Sequence, residues 1–141
     1  MNIQRLILAI VVAFIFIFAT DFLIHAVWLG PDYKATAQLW RPEAEMNARF
    51  PWMLIAQLLA AITFVLIWAM GLAARGTIGL ACAYGFLIGL AVQVTTIVTY
   101  VVSPFPADLA LKWFCSGLVQ SLVLGMVTFL VYKPSPAGAR T

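Results

Sequence analysis

Charge is scarce in this chain: only 9% of its 141 residues are Asp, Glu, Lys or Arg, against roughly a quarter in an ordinary soluble domain. So few charged groups cannot clothe the surface of a water-soluble globule, and that class is excluded. Histidine is limited to one residue and cysteine to two. A tetrahedral zinc or copper site takes three or four His/Cys ligands and a bis-histidine haem site takes two imidazoles, so no metal and no cofactor is expected. Cys82 and Cys115 fall toward opposite ends of adjacent apolar stretches, too far apart along the membrane normal for a disulfide within the chain. The sequence carries no G-x-S-x-G, H-E-x-x-H, phosphate-loop or dinucleotide-binding pattern, so no catalytic constellation is visible and the reading leans away from an enzyme. The net charge of +3 comes from basic residues scattered singly, which argues against a nucleic-acid partner.

What the chain has in excess is hydrocarbon, at 65% hydrophobic residues. Four apolar stretches, at 6–29, 51–73, 77–102 and 109–132, are each long enough to cross a bilayer as a helix. Backbone polar groups find no water in lipid, so these stretches are expected to be helical, and their short connections predict antiparallel neighbours. The expected fold is an all-α membrane protein: a single domain over 1–133 forming a four-transmembrane-helix antiparallel bundle, with the lipid bilayer as its main partner. A disordered tail is expected over 134–141, where Pro, Gly, Ser and Ala follow without apolar periodicity. Arg5 and the apolar run after it resemble a signal peptide, but Ile17 and Ala19 make a poor cleavage site and the apolar run resumes at Phe22. A retained first helix is therefore expected.

The only sizeable connection, 30–50, has structure of its own. Tyr33, Ala37 and Trp40 recur at i, i+4 and i+7 opposite Lys34, Gln38 and Arg41, which predicts a short amphipathic helix lying in the membrane interface. Pro42 is placed to restart a helical turn, Glu45 and Arg49 to pair at i, i+4, and Pro51 to open the second span. Trp28, Trp40, Trp52 and Tyr33 surround this connection, as expected of rings at headgroup level. Basic residues divide equally, with Arg5, Arg75, Lys133 and Arg140 on one side and Lys34, Arg41, Arg49 and Lys112 on the other. Asp21, Asp32, Glu43, Glu45 and Asp108 all fall on the second side. The first side is thus the more positive, which places both termini in the cytoplasm.

Small residues repeat every four positions at Ala81, Gly85 and Gly89, and again at Gly117, Ser121 and Gly125. Such stripes let helix backbones approach closely in lipid. They predict tight packing of the third and fourth spans, the alternative being contact with a protein partner or a second copy of the chain.

Asp21 and His25 stand one helical turn apart near the end of the first span. Buried together, the imidazole donates to the carboxylate and keeps its other nitrogen for a proton or ligand. At the interface, both merely terminate the helix. Antiparallel helices bring Gln57, Gln93, Thr96, Tyr100, Ser116 and Gln120 to the same half, while the opposite half is nearly all apolar. A cluster of amides, hydroxyls, one carboxylate and one imidazole forms either a structural polar layer or a small cavity for a ligand or proton.

The stretch Asp21-Phe22-Leu23-Ile24-His25, with Trp28-Leu29, Tyr33 and Leu39-Trp40-Arg41-Pro42-Glu43-Ala44-Glu45-Met46 after it, resembles a signature of small four-helix inner-membrane proteins of bacteria. That resemblance implies inner-membrane location and a four-helix topology, and no activity. The leading expectation is a non-enzymatic accessory, assembly or scaffold subunit. Its alternative is a protein that binds or transports a proton, a cation or a small ligand through the cluster around Asp21 and His25. A lipid-directed enzyme with His25 as general base is the third possibility, and no nucleophile can be named for it.

Overall fold

The structure is a computed structural model that describes residues 2–133. Five α-helices make up most of it: α1 (Ile3–Asp21), α2 (Gly30–Ala35), α3 (Glu43–Ile67), α4 (Ile78–Val102) and α5 (Ala107–Val131). No strand occurs among the described residues. Wider π-helical turns extend α1 over Phe22–Trp28 and α3 over Trp68–Leu72. With these extensions, four helical segments are long and apolar enough to cross a membrane: Ile3–Trp28, Glu43–Arg75, Ile78–Val102 and Ala107–Val131. The expected tail at 134–141 lies outside the described residues.

Local chemistry sets the helix ends. Asn2 caps α1 by accepting the Arg5 N–H at 3.0 Å, and Thr77 caps α4 by accepting the Leu80 N–H at 3.1 Å. Pro104 forces Ser103 into extended backbone (φ −129°, ψ 144°), which ends α4, and Pro106 stands at the start of α5. The second long helix departs from expectation: it begins at Glu43, and Pro51 lies inside it. Pro42, in an extended conformation, and the acidic residues Glu43 and Glu45 make a good helix start eight residues earlier. Residues 43–53 are all exposed, so the carbonyl left unpaired by Pro51 is open to solvation.

The expected amphipathic helix in the first connection is likewise divided. The structure has α2, then a 3-10 turn at Ala37–Leu39, with a break at Thr36. Thr36 explains the break: its hydroxyl donates back to the Asp32 carbonyl at 2.8 Å and accepts the Trp40 indole N–H at 3.0 Å.

The core is narrow and built of small and aromatic groups. Leu6, Ala9, Ala13 and Ile17 form one buried stripe along α1, facing Ala61, Phe64, Val65 and Trp68 from the α3 segment, Ala81 and Tyr84 from α4, and Leu124 from α5. Two of its aromatic polar groups are paired: the Tyr84 hydroxyl donates to the Phe64 carbonyl, and the Trp68 indole donates to the Tyr132 carbonyl at 3.3 Å. Around this core, Ile7, Val11, Ile15, Phe18, Leu87 and Leu111 point outward and exposed. Water would penalise that surface, whereas hydrocarbon accepts it.

Helices α4 and α5 touch backbone to backbone along the two small-residue stripes. A Cβ added at Gly125 would overlap the Ala81 carbonyl oxygen, one at Gly85 the Ser121 carbonyl oxygen, and one at Gly89 would come to 2.8 Å from the Ser121 Cβ. The Ser121 hydroxyl reinforces the pair by donating to the Gly85 carbonyl at 2.8 Å.

Candidate functional site

Polar side chains from three helices meet at Asp21, the last residue of α1. Gln57 of α3 donates its amide to Asp21 Oδ2 at 2.6 Å, and Gln120 of α5 donates to Asp21 Oδ1 at 2.7 Å. The Gln120 amide also donates to the Thr20 hydroxyl at 2.6 Å, and that hydroxyl donates to the Phe16 carbonyl at 2.7 Å. Both carboxylate oxygens therefore accept from fixed amides.

Among the described residues, Arg41 and Arg49 pair with Glu45, and Lys112 pairs with Asp32 and, at 3.8 Å, with Asp108, which leaves Asp21 without a Lys or Arg partner.

Two clefts share the Asp21–Gln57 contact as a wall. The first, about 460 Å³, lies among α1, α3, α4 and α5, and its polar lining includes Gln93, Gln120 and Ser121 besides the shared pair. The second, about 580 Å³, runs along α1 and its π-helical extension, with Phe18, Phe22, His25, Phe50 and Met53 on its walls. Both volumes fall in the range of small-molecule sites, which runs to hundreds of cubic ångströms.

Asp21 and His25, one turn apart, take separate partners. Asp21 turns to the glutamines, while His25 lies on the π-helical turn and shares a hydrogen bond between its Nδ1 and the Tyr33 hydroxyl. The wider turn alters the i, i+4 relation that a regular α-helix would have supplied. Gln93 is buried at 9% exposure and lines the first cleft. Thr96 reaches the cleft only through Gln93, donating to its Oε1 at 2.6 Å. Tyr100 is 45% exposed and touches neither cleft. Gly117 provides the seat for Gln93, since a Cβ there would overlap the Gln93 amide nitrogen.

An aromatic platform beside His25 escaped the reading of the sequence. Tyr33 and Trp40 from the first connection, Phe105 from the link before α5, and Trp113 of α5 pack together, with Trp40 stacked on Phe105 at 5.0 Å and Phe105 edge-on to Trp113 at 5.1 Å. The Tyr33 hydroxyl accepts the Trp113 indole N–H at 2.8 Å, and Lys112 grips Asp32 at 2.7 Å. These contacts hold α2 against the start of α5. Burial pushes the Tyr33 phenol above its ordinary range, the Trp113 bond opposes that, and the carboxylates of Asp32 and Asp21 add to it. The available signal was Trp113 itself, an aromatic near the end of a span in the same interfacial position as Trp28 and Trp40. Thr20, which ties Gln120 to α1, had no signal beyond its place next to Asp21.

Cys82 and Cys115 are free thiols. No three His, Cys, Asp or Glu side chains gather into a metal-binding group among the described residues. No family model matches the chain, and neither a curated protein nor a solved structure matches it.

Proposed function

We propose that this chain is a non-enzymatic, multi-pass protein of the bacterial inner membrane that binds a proton, a cation or a small polar ligand at Asp21. The observation that carries the reading is a carboxylate held by amides from two other helices, without a Lys or Arg partner among the described residues, on the shared wall of two clefts. An ionisable group at such a place in an apolar helix is costly and is characteristic of binding sites and proton relays. An antiparallel four-span bundle is supported at one pair of helices: Ala81, Gly85, Gly89 and Gln93 on α4 meet Gly125, Ser121 and Gly117 on α5 in reversed order. The excess of positive charge beside Arg5 and Arg75 supports cytoplasmic termini.

An accessory or scaffold role has less support. The small-residue stripes that suggest it lie in contact between α4 and α5 of the same chain, so they offer no free face to a partner. Native mass spectrometry of protein extracted gently from its own membrane tests the binding reading. A small molecule retained by the wild type and lost from Asp21→Asn supports it. The same retained species in both proteins, or a stoichiometric second polypeptide and no small molecule, refutes it.

A further inference from the structure

We propose that the clefts on either side of Asp21 receive a primary ammonium amphiphile, with its –NH₃⁺ group at Asp21 and Gln57 and its apolar body along the cleft walls. This inference rests on Asp21 being a ligand site and adds the chemistry of the ligand. Gln57 is the informative residue. It is 8% exposed, it lines both clefts, and its Oε1 is buried with no hydrogen-bond partner. The amide presents its NH₂ end to Asp21, donating to Oδ2. The orphan is therefore an acceptor. A buried acceptor left unpaired carries a desolvation cost that a donating ligand removes.

Beside that carbonyl stands a carboxylate with no Lys or Arg partner among the described residues and lone pairs to spare after two amide bonds. The site thus presents acceptors and negative charge. A primary ammonium group brings three N–H donors, one positive charge and no acceptor, which matches that set. An alcohol brings one donor and no charge, a quaternary ammonium brings charge and no donor, and a carboxylate is repelled. A hard metal cation asks for six or more oxygen ligands, beyond one carboxylate and one carbonyl. Apart from Thr63, Gln93, Gln120 and Ser121 in the first cleft and His25 in the second, the remaining walls, such as Ile17, Phe64, Ile88 and Leu124 of the first and Phe18 and Phe22 of the second, are apolar, so most of the rest of the ligand is hydrocarbon.

The test is calorimetric titration of the full chain in phosphatidylcholine nanodiscs with decylamine, decanol, decyltrimethylammonium and decanoate, with partitioning into empty nanodiscs subtracted. The inference expects decylamine to bind at least about tenfold more tightly than the other three, and Asp21→Asn and Gln57→Leu each to weaken it about tenfold or more. Circular dichroism confirms that both variants are folded, and Gln57→Leu keeps the wall apolar if Asp21→Asn fails that check. Decanol or decyltrimethylammonium binding as tightly as decylamine, while Asp21→Asn still weakens them, overturns the ammonium inference and leaves the Asp21 site standing. Binding of every probe that is indifferent to both substitutions overturns the two together. Repeating the titration with half the lipid replaced by phosphatidylethanolamine separates two sources of the same chemistry: competition assigns a lipid headgroup, and an unchanged affinity assigns a free amine.

Discussion

Replacing Gly125 by alanine puts a methyl carbon where there is no room and nothing soft to displace. The new Cβ would overlap the Ala81 carbonyl oxygen and lie 3.1 Å from Gly85 Cα, whereas ordinary contact begins at 3.4 Å. All of these obstacles are backbone of α4, so relief requires the two helices to part by at least several tenths of an ångström along their contact. Overpacking of this kind costs about 1–3 kcal/mol. Gly79→Ala is the internal control on α4, since its Cβ would meet only Thr77 Oγ1 at 4.0 Å; there the gain in helix propensity, up to about 1 kcal/mol, is unopposed. Unfolding in mixed micelles with increasing SDS, followed by circular dichroism, reads both changes. Gly85→Ala clashes with the backbone of Ser121 and Leu122, and the separation that relieves it also relieves Gly125→Ala. The double variant is therefore expected to lose less than the sum of the single losses, by about 0.5 kcal/mol or more. Gly125→Ala as stable as Gly79→Ala, or strictly additive losses, would refute the close backbone contact.

Gly117→Ala has a different outcome at the same spacing, because the obstacle is the end of the flexible Gln93 side chain. Stability is expected to fall by no more than about 1 kcal/mol, while the displaced amide enters the first cleft and weakens decylamine binding severalfold; loss of stability with intact binding contradicts this. Tyr33 is expected to titrate above the ordinary phenol value of about 10, read as the alkaline absorbance change that Tyr33→Phe removes. Its folded value is raised, so the stabilising contribution is present below the unfolded value and lost as pH rises through the folded one. A Tyr33 titration at or below the ordinary value refutes the packed platform.

The four long helices were legible because uninterrupted apolar runs leave the backbone one way to satisfy itself in hydrocarbon. Their boundaries were less so. Pro51 read as a helix start by its usual preference, but Pro42 with Glu43 and Glu45 gave a better start upstream, and one missing N–H on an exposed stretch was tolerated. The polar residues were legible as a population and not as pairs. Spacing puts Asp21 beside His25, yet the carboxylate bonds to Gln57, 36 residues away, and to Gln120, 99 residues away. Rotation of each helix about its axis decides such pairings, and single-sequence periodicity weakens where every face is apolar. Trp113 and Phe105 likewise gain their meaning only when the link before α5 folds against α2.

Helix packing and ligand binding make opposite demands on Asp21, and asparagine separates them. Packing needs an interhelical hydrogen bond, which Asn supplies: once the Gln57 amide turns over, its Oε1, now unpaired, accepts from the Asn side chain. An ionised carboxylate adds to that bond a burial cost of about 2.5–3.5 kcal/mol on insertion scales at the centre of a span, less toward its end, which its charge-assisted bonds from Gln57 and Gln120 offset only in part. Asp21→Asn is therefore expected to be at least as stable as the wild type to SDS while losing the ligand. A loss of more than about 2 kcal/mol would mean that the negative charge itself holds α1 against α3 and α5, and Asp21 would then belong to the architecture of the protein rather than to its site.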